Sequence, residues 1–259
     1  MLSYQHIYHA GNLADVQKHA LLAWMLDYMT RKDKPLSYLE THAGRALYDL
    51  ASAEAQKTGE AAQGIDIARD WFAPDHPYAR ALDRVRAAHG ATSYPGSPQI
   101  AAELLRPIDK LHLAELHPQE AAALRDAMRG SGAKVHVQDG FEMAQSLAPP
   151  EPRRGLVLID PSYEIKTDYT RIPGIIAKLH RKWNVGVIAL WYPLLSDGSH
   201  KSMLATLEGQ GLPDALRHEV RFPPAREGHR MVGSGMFVVN APFGLAQEAA
   251  RLDAKFARL

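Results

Sequence analysis

The sequence contains no cysteine, which excludes a disulfide framework, a thiolate zinc site and a cysteine nucleophile, and suits a reducing compartment. It also lacks the G-x-G-x-x-G fingerprint, which argues against a nicotinamide cofactor. No H-E-x-x-H or comparable ligand spacing occurs, although His112, Glu115 and His117 lie close together, so no metal is expected. The amino terminus, MLSYQHIYHAGNLADVQKH, has neither the charged start nor the apolar core of a signal peptide. The longest uncharged apolar stretch, Val185 to Leu195, falls well short of the roughly 20 residues a membrane helix needs. Repeats and low-complexity segments are absent. These exclusions leave a soluble, cytoplasmic protein as the expectation.

What is present is enough apolar material for a proper core: 46% of 259 residues, one large domain or a main domain with an insertion. The net charge is only +1 with histidine neutral, so any nucleic-acid site must be built from local patches. The candidates are Arg153 and Arg154, KLHRKW at 178–183, and PPAREGHR at 223–230.

Strands are predicted at 36–40, 111–115, 134–138, 156–160, 186–192, 217–222 and 235–240, and helices at 13–31, 118–129, 168–182 and 199–209. This alternation predicts an α/β fold with a doubly wound, largely parallel sheet. The run Leu156 to Ile159 is continuously apolar, as expected of a parallel strand covered on both faces. About 70 residues separate the first two strands, far more than a single-helix crossover requires. A small, mostly helical insertion is therefore expected at about 48–93, ending at the turn cluster YPGSP.

In open α/β sheets ligands bind at the carboxyl ends of the strands. Four successive strands place Gly44, Glu115, Asp139 with Gly140, and Asp160 at that edge. Gly44 permits close backbone approach to a ligand, and a carboxylate such as Glu115 suits ribose hydroxyls. Taken together they point to a ligand containing a nucleoside. The stretch GLVLIDPSYE (155–164) adds an acceptor carboxylate on Asp160, the Pro161 carbonyl and the Tyr163 ring. That trio suits a planar group with an exocyclic amine, such as an extruded nucleobase.

DPSY is similar to the Asp-Pro-Pro-Tyr signature of S-adenosylmethionine-dependent amino-methyltransferases. The segments MLSYQHIYHAGNLADVQKH, YLETHAG, YPGSP, ELHP, DGF, RRGLVLIDPSYE, ALWYP and SGMFVVNAP resemble, in order and over nearly the whole chain, the bacterial 23S ribosomal-RNA adenine-N6 methyltransferase family of the large subunit. The resemblance implies a class I (Rossmann-like) methyltransferase sheet of about seven strands, mostly parallel with an antiparallel last strand. It further implies S-adenosyl-L-methionine as cofactor, ribosomal RNA as substrate, no metal, and a monomer. Residue by residue, it implies that His19, His42, Ser97, Glu115, Asp139 and Gly140 meet the cofactor, beside Gly44 of the turn after the first strand. Asp160 would be catalytic, with Pro161 and Tyr163 beside it, and Tyr4 would reach the RNA. A protein amide or small amine as acceptor, or a silent RNA-binding module, are the alternatives.

Two departures stand out. The family's turn typically reads His-Ala-Gly-Ala-Gly, whereas here Gly44 is followed by Arg45 and Ala46. Ser162 replaces the second proline, so Pro161 loses the restraint a following proline imposes. Ahead of the first strand, Asn12 is expected to cap the helix from 13, with Asp15 in its first turn. Lys18 and His19 share a face with Asp15, so the segment carrying Tyr4, His6, Tyr8 and His9 could fold across the cofactor, Tyr4 and Lys18 serving the substrate. Arg226 and Arg230 are the expected phosphate contacts.

Overall fold

The computed structural model describes residues 4–226 and 228–259; Met1 to Ser3 and Glu227 lie outside the described residues. Among the described residues nine strands are present: β1 (Ser37–Glu40), β2 (Leu47–Asp49), β3 (Ser93–Pro95), β4 (Lys110–Ala114), β5 (Lys134–His136), β6 (Gly155–Ile159), β7 (Val187–Leu195), β8 (Leu216–Arg221) and β9 (Met231–Val239). Seven form the main sheet in the order β5-β4-β1-β6-β7-β9-β8. β1 pairs in parallel with β4 and β6, and β6 with β7, whereas β9 runs antiparallel to both β7 and β8. β8 therefore points the same way as β7, and the loop after it reaches the same edge as Asp160.

The helices are α1 (Leu13–Thr30), α2 (Ala53–Thr58), α3 (Glu60–Gln63), α4 (Ile65–Ala68), α5 (Pro77–His89), α6 (Ser97–Leu104), α7 (Pro118–Ala127), α8 (Gly140–Leu147), α9 (Asp168–Lys182), α10 (His200–Gly209) and α11 (Leu245–Phe256). They cover both faces of the sheet. Along β6, Leu156 and Leu158 enter a core shared with α1, α5, α6 and α11, while Val157 and Ile159 enter one shared with α8, α9 and α10. Successive side chains of a strand point to opposite faces, which is why this strand reads as an unbroken apolar run.

Two features of the fold matter for the site. α1 is enclosed nearly all round, so that even Asp15, Gln17, Lys18 and His19 are buried on it; Leu21, Leu22, Met25 and Leu26 are fully buried, each contributing roughly 1.5–3 kcal/mol. Asn12 caps its first turn, its side chain accepting from the Asp15 amide at 2.9 Å. Between β1 and β4 the chain runs through β2, helices α2 to α5, β3 and α6. β2 and β3 pair antiparallel as a separate two-stranded sheet, Leu47 opposite Pro95 and Asp49 opposite Ser93. The helices bracketed by these strands reach back to the start of α1, where the Ile65 amide donates to the Gly11 carbonyl at 2.8 Å.

Candidate active site

A cavity of about 450 Å³ opens along the carboxyl edge of the sheet, between the strand ends and the segment preceding α1. It lies within the roughly 300–1,000 Å³ range of ligand sites. Every residue assigned to the site from the sequence lines it except Arg226. Arg226 sits in the loop after β8, its carbonyl accepting from the His229 amide, while Arg230 of the same loop reaches the cavity and lies 3.5 Å from Asp197.

Asp160 follows β6 and is held by an element distant in the chain. Lys18 on α1 donates to its Oδ2 at 2.7 Å, and the same ammonium lies 3.2 Å from Asp15 and 5.4 Å from the centre of the Trp191 ring. Burial alone would lower the pKa of Lys18, but Asp160 and Asp15 outweigh it and push the value up. Asp15 is in turn fixed by the Gly11 amide and by His6 Nε2, each at 2.9 Å. Burial pushes its carboxyl up, yet His6 and Lys18 hold it well below the usual range.

Tyr163 adopts a left-handed backbone, φ 57°, and its ring is almost wholly enclosed, stacked on Tyr169 at 4.6 Å. Its hydroxyl donates to the Trp191 carbonyl at 2.7 Å, which ties the turn after β6 to β7. Tyr4 is the more exposed aromatic: it stacks on His9 at 5.7 Å, its hydroxyl lies 2.7 Å from His6 Nδ1, and its amide donates to Glu164. The segment before α1 thus lies over the cavity.

At the other end of the cavity the Gly44 and His117 amides donate to the two oxygens of Glu115, each at 2.8 Å. Burial raises the pKa of Glu115. Each carboxylate oxygen has a second lone pair, so Glu115 retains acceptors for a ligand. Ser97 and Tyr38 both donate to Glu40 at the end of β1, the tyrosine at 2.8 Å. Burial pushes Glu40 up to about 8. Asp139 caps α8 through the Glu142 amide at 3.0 Å, and Gly140 packs on the Thr41 carbonyl so closely that a Cβ would lie 1.7 Å from it. His42 sets the edge of its ring against Phe141, 5.0 Å between centres, and burial lowers it to about 4.

His19 Nδ1 is 2.9 Å from the Tyr94 hydroxyl, and burial lowers its pKa to about 3. Its Nε2, and Nδ1 of His117, are buried without a hydrogen-bond partner among the described residues, and both residues line the cavity. Buried polar atoms are normally paired, so two orphans in one cleft fit a polar ligand supplied from outside the chain. Among the described residues no group of three His, Asp or Glu side chains could hold a metal ion, and no helix is long and apolar enough to cross a membrane.

Sequence reasoning did not find Glu40, which reads simply as a strand end, nor the contact between Lys18 and Asp160. A charged residue closing an apolar strand was the signal for the first. Nothing local signals the second, because 142 positions separate the partners.

A seven-stranded sheet with one reversed strand, a glycine turn after β1, an acceptor carboxylate after β4 and an Asp-Pro-x-Tyr turn after β6 define a class I S-adenosylmethionine-dependent methyltransferase. The family model described as "Ribosomal RNA large subunit methyltransferase D, RlmJ" matches residues 33–257, and the chain belongs to that family. Relatives named ribosomal RNA large subunit methyltransferase J are 41% identical in Escherichia coli, over 96% of this chain and 90% of that protein. The corresponding figures in Haemophilus influenzae are 38%, 95% and 89%. A crystal structure of a Legionella pneumophila protein superposes with a TM-score of 0.86 at 33% identity, covering 95% of this chain and 92% of that one.

Proposed function

We propose that this chain methylates the exocyclic N6 of an adenine in 23S ribosomal RNA, acting in the cytoplasm as a monomer and without a metal, and that residues 48–93 form an inserted helical subdomain. The observation that carries the reading is the placement of Asp160. Its Oδ2 is engaged by Lys18 at 2.7 Å, which fixes the carboxylate, and Oδ1 would accept from the substrate amine.

Bound S-adenosylmethionine supplies an electrophilic methyl group. His19, His42, Gly44, Ser97, Glu115, Asp139 and Gly140 would hold it, Glu115 through its remaining lone pairs and His19 through Nε2, which makes no hydrogen bond among the described residues and lies 3.8 Å from Asp15. Adenine N6 is a poor nucleophile because its lone pair is delocalised into the ring. Asp160 Oδ1 and the Pro161 carbonyl accept from the amine and favour a more tetrahedral nitrogen, so catalysis comes chiefly from positioning and fixed acceptors. The excess proton then passes to Asp160 or to water. Tyr4 offers a partly exposed ring to the extruded base, while Tyr163, already packed on Tyr169, shapes the wall behind it. Arg230 and Arg226 would meet RNA phosphates.

The test is transfer of labelled methyl to purified ribosomal RNA and to RNA-free protein extract, followed by nucleoside and amino-acid analysis. The proposal requires label in N6-methyladenosine. Label in amino acids, or none, sinks it.

A further inference from the structure

The turn after β1 is built in a way that its own residues do not favour. Gly44 has φ 61°, an easy conformation for glycine, but Ala46 two residues on has φ 65° and is fully buried. A left-handed backbone brings Cβ too close to the following carbonyl in any L-residue other than glycine. Something outside the turn must hold it there.

Three tethers do so. The Gly44 amide is fixed on Glu115 at 2.8 Å. The Ala46 carbonyl accepts from the Gly96 amide at 2.7 Å. Between them, Arg45 places its guanidinium on Glu120 of α7 as a fork, Nε to Oε2 at 2.9 Å and Nη2 to Oε1 at 2.5 Å. Glu120 is buried and Arg45 partly so, and the two-point fork makes this pair geometrically fixed in the way exposed ion pairs are not. Glu115 lies between β4 and α7 and Glu120 in the first turn of α7, so two successive residues of the turn are fastened to two carboxylates five positions apart. Gly96 precedes Ser97, so the third tether registers the turn against α6.

We infer that Arg45 is a positioning residue for cofactor binding: its fork on Glu120 holds the Gly44–Ala46 turn in the conformation that brings the Gly44 backbone, Glu115 and Ser97 together, replacing conformational freedom that glycine would give at position 46. Arg45 touches no reacting atom in this account. The inference rests on the assignment of the cofactor to this end of the cavity.

The test is the dissociation constant of S-adenosylhomocysteine and of S-adenosylmethionine, by calorimetry, with melting curves to show that each variant is folded. Arg45→Ala is expected to weaken both by about tenfold, equivalent to about 1.4 kcal/mol, with KM for the cofactor rising in step and kcat falling far less. Adding Ala46→Gly in the Arg45→Ala background should restore most of the affinity, because glycine adopts the left-handed turn unaided. A purely structural ion pair would not be rescued in this way. If Arg45→Ala does not fold, Arg45→Lys carries the test, since a single ammonium cannot form the fork. Unaltered affinity in the Arg45 variant, or no recovery on adding Ala46→Gly, overturns the inference. Wild-type affinity that is insensitive to both Glu115→Ala and Asp139→Ala instead refutes the placement of the cofactor, whatever Arg45 does.

Discussion

Lys18 is an ammonium almost removed from water that keeps Asp160 and Asp15 within 3.2 Å. Removing Asp160 leaves Lys18 still paired with Asp15, so Asp160→Ala should fold normally, retain part of its cofactor affinity and lose methyl transfer; near wild-type turnover would show that the carboxylate is not catalytic. Lys18→Met instead removes the ammonium from Asp160, while Asp15 keeps His6 and the Gly11 amide, and single-turnover rates should fall by about 10²–10³-fold, the scale of losing a fixed electrostatic group at a reacting centre. Tyr163→Ala should hurt more than Tyr163→Phe, because the ring fills the wall of the site while the hydroxyl makes one hydrogen bond to Trp191. Glu40 gives a pH signature. Its folded value of about 8 stands above an ordinary value near 4.5, so between these the native state binds the extra proton and stability falls as pH rises through the window. Melting temperature measured from pH 4.5 to 8 should therefore decline less steeply in Glu40→Gln than in wild type. Parallel profiles would rule out a raised Glu40.

At the scale of elements, β6 and its Asp-Pro-Ser-Tyr turn were legible because an apolar run and a turn cluster adjoin in sequence. The helices expected at 13–31, 118–129, 168–182 and 199–209 correspond to α1, α7, α9 and α10, the first with its expected Asn12 cap. β2 and β3 were not legible: three residues each are too few to show a period. α6 and α8, eight residues apiece, are hidden for the same reason, and α8 starts where the Asp139 cap and the close approach of Gly140 to Thr41 coincide. The junction of α3 and α4 with α1 is another such contact. A Cβ on Gly64 would lie 2.1 Å from the Gly11 carbonyl and 2.7 Å from Asn12. Gly64→Ala should thus push the inserted helices off the cap of α1, costing about 1–3 kcal/mol and lowering methylation with it, since α1 carries Asp15, Lys18 and His19. An unshifted melting temperature would show that this contact yields freely.

For the whole molecule, the chain order of strands, the α/β class and the carboxyl-edge location of the site follow from composition and spacing. The side-chain pairings that finish the site do not, because they join α1 to β6 and the glycine turn to α7 across long stretches of chain. The loop after β8 reaches the same edge because β9 runs antiparallel to both its neighbours. If Arg226 and Arg230 each neutralise a phosphate, replacing both with Gln should lower the slope of log affinity against log salt by about 2, uniformly across RNA sequences. An unaltered slope would place the RNA path elsewhere. The central claim, methyl transfer to an adenine amine directed by Asp160, is tested most directly by incubating purified large-subunit ribosomal RNA with labelled S-adenosylmethionine and either wild-type protein or Asp160→Ala, then digesting to nucleosides. The account predicts label in N6-methyladenosine with the wild type and none with the variant; label in another nucleoside, or equal label with both proteins, would contradict it.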